Sequence, residues 1–559
     1  MKVHRIKEQN MSHILKPPCD DGVIQSAPEP KVVSGQLMGA EVAVGALSRT
    51  GNIGPWVLVA TILGSSMAFI DGTVVNVALP VLQTDLRATV ADVQWVVEAY
   101  SLFLSALILV GGSLGDLFGR KRIFATGIIL FTLASIFCGL APNITVLIIA
   151  RAVQGIGGAL LVPGSLAIIS ATFDSKQRGQ AIGTWSGFTA ITSVLGPVLG
   201  GWLVQYASWR WVFFINVPVA IIVLTVLFWR VPESRGEENS TRLDYPGALL
   251  ATVGLGGIVY GLIEAGNAGI GNAAVIIALV VGVVALIAFI FVEVRSQAPM
   301  VPLSLFRSPT FSGANLLTLL LYAALGGALF FVPFNLIRVQ GYTPTEAGAA
   351  TLPMIIILFL LSRWSGGLVN RYGAKLPLVI GPVIAAVGYA LFARTGIGGS
   401  YWTTFFPAAV VLGLGMAIAV APLTTAVMGS VGPQRAGTAS GINNAVSRTA
   451  GLIDIAVLGL VVLSVFSSSL DSHLAALSGS IPQNVLQLIE AQHTLLVGIQ
   501  IPAGVSSQSH TALQQAIDES FISSFRVVML IASGLALASA LSALLLVEGK
   551  KTSSDAKTT

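Results

Sequence analysis

Among the ionisable side chains inside long apolar stretches of the sequence, four are candidates for chemistry: Asp71, Glu98, Arg151 and Asp454. A charge in such a stretch costs about 3 kcal/mol or more unless it is protonated, paired with an opposite charge or in contact with water. Carboxyl groups can load and release protons, and an arginine can hold a neighbouring carboxylate ionised. These residues are therefore the first candidates for chemistry, and the rest of the chain must supply a membrane domain around them.

The composition is that of a polytopic membrane protein. Hydrophobic residues make up 54% of the 559 residues and charged residues only 10%, against about 25% charged in an ordinary soluble protein. So few charges could not cover the surface of a soluble chain of this length. Long apolar stretches, rather than short alternating ones, favour helices over a barrel. The sequence thus predicts an all-α membrane protein, and the net charge of +5 is read as a mark of membrane orientation rather than of nucleic-acid binding.

Fourteen stretches are long enough to cross a membrane as helices, which takes about 20 apolar residues. They are residues 55–79, 93–114, 122–141, 144–166, 178–205, 210–229, 243–264, 272–294, 311–338, 344–365, 376–394, 401–428, 437–466 and 521–546.

The spans group into two six-helix blocks, at residues 54–230 and 307–548, with two intervening helices at 231–306. Residues 1–53, which are polar and contain several prolines, are predicted to be a disordered cytoplasmic tail, and 549–559 a second cytoplasmic tail. A long outer loop is predicted at 467–520, in which the helical apolar spacing of 484–499 suggests a segment along the membrane surface. Three histidines near acids in this loop are interpreted as solvated polar residues rather than a metal site.

The distribution of Lys and Arg predicts which side of the membrane each loop occupies. Most of them fall in the termini and in loops that would share one side, and the opposite side receives Arg87, Arg210, Arg338 and Arg394. Because positive loops stay in the cytoplasm, both termini are predicted to be cytoplasmic.

A glycine-containing motif, GGSLGDLFGRKR, lies between the second and third spans. Gly112 would allow two helices to approach closely, Gly119 would permit a tight turn, and Asp116 and Arg120 would place opposite charges at the membrane boundary. The same frame recurs weakly at Gly366, Asn370 and Gly373, between the tenth and eleventh spans. Such an internal repeat of helix blocks is typical of secondary transporters.

The fifth span carries a second pattern of small residues. Gly196, Gly200 and Gly201 form a small-residue face suited to close helix packing. Pro197 removes one backbone hydrogen bond and favours a bend. Both ordinary packing and a conformational hinge fit this pattern, and the hinge is preferred.

These motifs together resemble the major facilitator superfamily, in its fourteen-span drug/proton antiporter branch. GGSLGDLFGRKR is similar to the family's inner-loop motif, IDGTVVNVALP to the first-helix motif of that branch, LIIARAVQGIGGA to a fourth-helix motif centred on an arginine, and LGPVLGG to the fifth-helix antiporter motif. Thr192 replaces a glycine expected in the last of these, and Asn370 an aspartate in the second inner-loop copy. The resemblance covers residues 55 to 546 and implies export of small compounds in exchange for protons by alternating access.

The buried charges fit that expectation if three of them meet. At about 1.5 Å per residue, Asp71, Glu98 and Arg151 lie roughly 12, 8 and 10 Å below the outer ends of their spans. The shared depth predicts one cluster, in which Arg151 holds one carboxylate ionised while the other exchanges protons. Asp454 could line the substrate cavity or make a purely structural contact between helices. Glu264 and Glu293, at span ends, are predicted to be solvated.

The sequence therefore predicts a proton-coupled exporter in the cell membrane, acting on small drug-like or amphipathic compounds. The alternatives are an exporter of one endogenous metabolite, or a passive pore or membrane receptor. No phosphate-binding loop or hydrolytic triad suggests an enzyme, and no cofactor or metal is expected. The expected partners are the substrate, protons and the lipid bilayer but no nucleic acid, and an accessory or outer-membrane protein is left open.

Overall fold

The computed structural model describes residues 35–173, 175–235, 244–296, 299–431, 436–502 and 504–549. Every regular element in these ranges is helical. Thirteen helical segments are long and apolar enough to cross a membrane. The helix at the position of the predicted fifth span, Ser175–Tyr206, has 32 residues but is not among these thirteen segments. The predicted all-α membrane architecture is confirmed, while most of the predicted N-terminal tail (1–34) and the end of the C-terminal tail lie outside the described residues.

The helices of the N-terminal block are α1 (Gly35–Asp85), α2 (Val90–Phe118), α3 (Arg120–Leu140), α4 (Ile144–Thr172), α5 (Ser175–Tyr206), α6 (Trp211–Phe214) and α7 (Asn216–Arg230). Two linker helices follow, α8 (Tyr245–Ala268) and α9 (Ala273–Arg295). The C-terminal block contains α10 (Pro309–Phe334), α11 (Pro344–Ala350), α12 (Leu352–Tyr372), α13 (Lys375–Phe392), α14 (Phe405–Gly429), α15 (Ala436–Leu477), α16 (Gln483–Glu490) and α17 (Ser507–Leu546). Helix α1 begins inside the predicted tail, and its apolar segment is Ile53–Asp85.

Local sequence signals explain several helix ends. Thr89 and Asp92 form a capping box at the start of α2, and the Asn143 side chain caps α4, so each satisfies backbone N–H groups that the helix leaves unpaired. Gly119, with a φ of +109°, separates α2 from α3. Gly373, with a φ of +76°, separates α12 from α13 in the same way. The weak second copy of the motif therefore forms the same kind of turn between two helices as the first copy.

We call the end of the bundle that carries Arg120, Lys121, Arg230 and Lys375 the basic end. The two blocks contact each other toward the opposite end. There Arg338 Nη2 donates a hydrogen bond to the Pro80 carbonyl oxygen at 2.6 Å, and α5 packs tightly on α11. The structure is therefore the state in which the opposite end is closed.

The segment predicted as a long outer loop, 467–520, is mostly helical, which corrects the prediction. Helix α15 continues to Leu477 and α17 starts at Ser507, because both sequences keep their apolar spacing beyond the length that a membrane requires. The apolar residues of α16 are buried in the same core as α15 and α17. The apolar face predicted to lie on the membrane surface thus packs against protein.

Candidate functional site

Asp71 and Arg151 form a buried ion pair between α1 and α4. Arg151 Nη1 donates a hydrogen bond to Asp71 Oδ2, and the two side chains are 1% and 0% exposed. Gln154, one turn along α4, donates from Nε2 to Asp71 Oδ1 at 2.8 Å. A buried charge that lost such a partner would be strongly unfavourable. The predicted pairing of Arg151 with a carboxylate is confirmed.

The ion pair is the centre of a wider polar network. Arg151 Nε donates to the Val96 carbonyl oxygen of α2 at 2.9 Å, and its guanidinium lies 4.2 Å from the centre of the Tyr100 ring. Asn216 of α7 donates from Nδ2 to Asp71 Oδ1 at 3.4 Å and to Ser135 Oγ of α3 at 3.0 Å. The network therefore links five helices of the N-terminal block and fixes their relative positions.

Sequence reasoning did not identify the neutral members of this network, Gln154, Asn216 and Ser135. Gln154 and Asn216 could have been identified from the sequence, because an amide side chain inside an apolar span also needs a hydrogen-bond partner. Gln154 stands three residues after Arg151, which places both on one face of α4.

Glu98 does not join the predicted cluster, and the three-residue grouping is wrong in this respect. Its side chain is 0% exposed, and both carboxyl oxygens lack a hydrogen-bond partner in the part of the chain that the structure describes. Depth along a span can be estimated from the sequence, but the direction in which the side chain points depends on helix rotation. Glu98 lies instead on the face of α2 that carries Gln94 and Leu102, both of which contact α15 of the C-terminal block.

Asp454 lies on α15, the helix of the C-terminal block that packs against α2 across the seam between the two blocks. Its side chain is 5% exposed, and its Oδ2 atom has no hydrogen-bond partner among the described residues. It packs against Gly327 of α10, where a methyl group would collide with the carboxylate. Nearby, Gln94 Nε2 donates to the Ile455 carbonyl oxygen at 2.8 Å and ties α2 to α15. Neither Glu98 nor Asp454 forms an ion pair with another described residue, so two ionised carboxylates in this seam would lack a counter-charge.

A central cavity of about 280 Å³ lies between the two blocks. Helices α1, α2 and α4 line one side and α10 and α15 the other, and the polar lining includes Asn76, Tyr100, Ser101, Arg151 and Arg448. Arg448 forms no ion pair or hydrogen bond within the described ranges. Asp454 is not among the residues that line this cavity, and its carboxylate lies against Gly327 of α10 instead.

The motif at the basic end holds the N-terminal block together. Arg120 Nη2 lies 2.7 Å from Asp116 Oδ1, and the Arg120 backbone N–H donates to the Ser234 carbonyl oxygen at 2.9 Å. The Glu233 carboxylate accepts from the Lys121 backbone N–H at 2.9 Å. The predicted tight turn at Gly119 is confirmed by its positive φ. The segment after α7 is thus fastened to the α2–α3 turn.

The close helix approach predicted at Gly112 occurs one residue earlier. A methyl group at Gly111 would collide with the Ala159 carbonyl of α4, whereas at Gly112 it would make an ordinary 3.6 Å contact with Pro163 Cβ. The helix rotation that decides between adjacent glycines cannot be read from the motif.

The small residues of α5 face two helices rather than one. Methyl groups at Gly196 and Gly200 would collide with α1, at Thr73 and Val74. A methyl group at Gly201 would collide with the Pro344 carbonyl of α11.

Pro197 belongs to the same interface. Its carbonyl oxygen lies where a methyl group on Gly348 of α11 would be. Helix α5 therefore packs between α1 of its own block and α11 of the other block, at the closed end.

Comparison with known proteins matches residues 61–453 to the family model of the Major Facilitator Superfamily. The chain is 36% identical to the multidrug resistance protein Stp of Mycobacterium tuberculosis, over 85% of this chain and 89% of that protein. It is 33% identical to the tetracenomycin C resistance and export protein of Streptomyces glaucescens, over 88% and 91%. It is 30% identical to the multidrug transporter protein MdtP of Bacillus subtilis, over 86% and 91%.

Among solved structures, the fold resembles a bacterial homolog of the human lysosomal transporter Spinster in an inward-facing, unoccupied conformation. The TM-score is 0.64 at 17% identity, over 89% of this chain and 99% of that chain. At this identity the similarity concerns the fold alone.

Proposed function

Since the chain belongs to the Major Facilitator Superfamily, we propose that it is a proton-coupled exporter of small drug-like or amphipathic compounds that works by alternating access. The observation that carries this proposal is a pair of buried carboxyl groups on two helices that pack across the seam, Glu98 of α2 and Asp454 of α15. Each has at least one carboxyl oxygen without a hydrogen-bond partner among the described residues. A transporter that exchanges protons for substrate requires such a site, because it must bind and release a proton as the two blocks move.

The seam and the cavity are coupled through shared helices. Helix α2 carries Glu98 and, one turn away, Ser101 of the cavity lining, while α15 carries Asp454 and Arg448. A change of charge at the seam alters the repulsion between α2 and α15, and hence the shape of the cavity between them. In this mechanism protons enter when the opposite end is open, and their release toward the basic end accompanies substrate binding.

The Asp71–Arg151 pair has a different role in this proposal. Its charges compensate each other, and its hydrogen bonds reach α1, α2, α3, α4 and α7. We assign it the task of keeping the N-terminal block rigid, so that the block moves as one body.

The cavity indicates the kind of substrate. The Arg448 guanidinium offers several hydrogen-bond donors, and Tyr100, Phe69 and Phe330 add aromatic surface. An amphipathic molecule with a ring system and oxygen acceptors fits this lining. The relatives' names, which include resistance to tetracenomycin C and to puromycin, are consistent with such compounds.

We place the protein in the cell membrane with the basic end and both termini in the cytoplasm, because positively charged loops remain on that side. The closed opposite end would then face outward.

A resistance screen with and without the gene, followed by efflux measurements on the compounds it identifies, tests this function. We expect resistance to several unrelated compounds and loss of efflux when the proton gradient is dissipated. Resistance to a single compound, or to none, would favour the exporter of one metabolite. Efflux that continues without the gradient would favour a passive pore, and binding without transport a receptor.

A further inference from the structure

The linker helices α8 and α9 form a hairpin over the line where the two blocks meet. They pack closely against each other, since a methyl group at Gly257 would lie 2.7 Å from the Ala278 carbonyl oxygen. Val259 of α8 belongs to a small core that it shares with Leu102 of α2 and Leu452 of α15. The hairpin therefore contacts one helix from each block, on the outside of the same seam.

A second cavity, of about 450 Å³, lies beneath the hairpin. Its walls are α2, α8, α9, α10, α15 and the segment that joins α9 to α10. The lining on α8 comes from 251–255 and that on α10 from 312–319, which places the cavity in the half of the bundle near the basic end. Side chains such as Leu109, Leu286 and Leu319 make the lining almost entirely apolar. The volume is that of a site for a drug-sized molecule.

Ser105 of α2 lines this lateral cavity and the central cavity as well. Its side chain is 7% exposed, and its Oγ atom has no hydrogen-bond partner in the described part of the chain. A buried hydroxyl group is almost always hydrogen-bonded, so an unpaired one calls for a partner from outside the protein. Because Ser105 lines both cavities, such a partner would bind at the boundary between them.

The wall at the basic end is held in position by Glu293, which the sequence wrongly predicted to be solvated. Its side chain is 3% exposed, and its Oε2 atom accepts a hydrogen bond from the Val301 backbone N–H at 3.1 Å. Val301 and the neighbouring Met300 line the cavity. Glu293 thus fastens part of the cavity wall to the end of α9.

We propose that the lateral cavity binds lipophilic, uncharged small molecules that carry one hydrogen-bonding group. They enter from the lipid leaflet near the basic end and reach the central cavity past Ser105. The inference rests on the proposed function for the direction of movement, while the binding site stands on its own geometry. The position of Ser105 at both cavities and its hydroxyl, which has no partner among the described residues, favour a small molecule over a lipid acyl chain, which would leave Ser105 unsatisfied.

Cysteine protection tests the site. Ala445 lines the cavity, so Ala445→Cys in a Cys19→Ser, Cys138→Ser background reports its accessibility to N-ethylmaleimide. We expect the neutral fluorophore N-phenyl-1-naphthylamine to slow this labelling about fivefold or more in lipid nanodiscs. The control is Val280→Cys on α9, which is 55% exposed and whose labelling we expect the fluorophore to leave unchanged. Equal rates with and without the fluorophore at Ala445→Cys overturn the proposal.

Two further experiments distinguish a small molecule from a lipid chain in the lateral cavity. If a lipid chain fills the cavity, stripping phospholipid will speed the labelling of Ala445→Cys and the fluorophore will not protect it, which contradicts the proposal. Ala251→Leu fills the cavity from α8, and we expect it to reduce transport of lipophilic substrates about tenfold, whereas Val280→Leu has no effect.

Failure of the site and failure of the proposed function give different results. Efflux of lipophilic compounds without protection at Ala445→Cys refutes the site alone. Protection without any efflux by the unaltered protein refutes the export function and leaves the binding site.

Discussion

We expect Asp71→Asn to destabilise the N-terminal block by about 3 kcal/mol. The substitution keeps the shape of the side chain but leaves the Arg151 guanidinium buried without a counter-charge, and removing one partner of a buried ion pair costs about 3–5 kcal/mol. We take the lower end because the asparagine oxygen can still accept from Arg151, whose Nε also keeps its bond to the Val96 carbonyl. At about 2–4 °C per kcal/mol for a unit of this size, the midpoint of thermal aggregation falls by on the order of 10 °C.

Size-exclusion chromatography after heating measures the change. The double variant Asp71→Asn, Arg151→Met removes both charges, and we expect it to recover most of the lost stability, since replacing a whole buried pair by uncharged groups is often neutral. Asp116→Asn is the matched control, because its ion pair with Arg120 is partly exposed and exposed pairs contribute less than about 1 kcal/mol. An Asp71→Asn protein as stable as the unaltered one, or a double variant no better than the single, refutes the reasoning.

Three further variants test the other contacts. Gly119→Ala forces a side chain into a positive φ next to Glu233, so we expect a loss of about 1–3 kcal/mol by the same heating assay, and an unchanged midpoint would contradict this. Arg448→Ala removes a guanidinium of the central cavity that has no partner among the described residues, and we expect about tenfold weaker substrate binding, partly restored in Arg448→Lys. If both variants bound substrate with the affinity of the unaltered protein, Arg448 would not contact the substrate. Gly201→Leu collides with Pro344 of α11, so we expect cysteines placed in the cavity to react faster with impermeant reagents added from the opposite end. Unchanged reactivity would show that this contact does not close that end.

The architecture was predictable because membrane spans depend on length and apolarity alone, which the sequence displays directly. The helix limits were less accessible. Helices α15 and α17 extend beyond the membrane length, and α16 buries its apolar face in protein, since amphipathic spacing does not reveal which apolar surface it will meet.

The candidate site was predictable in part. A pairing of Arg151 with one buried carboxylate followed from the cost of buried charges at similar depth, but the choice of Asp71 over Glu98 did not. The orientation of Glu98 toward α15 did not follow either, because it depends on how α2 is rotated and on where the C-terminal block lies. For the same reason, the sequence predicted the close helix contact at Gly112, whereas the structure has it at Gly111.

The central claim is that Glu98 and Asp454 carry the coupled protons, and transport by the Glu98→Gln, Asp454→Asn variant tests it most directly. The unaltered protein and the variant are reconstituted in proteoliposomes with a substrate from the resistance screen, first under an imposed pH gradient and then in substrate exchange without one. We predict that the variant loses accumulation driven by the gradient but keeps exchange, because its cavity is intact. Full accumulation driven by the gradient in the variant would contradict the account.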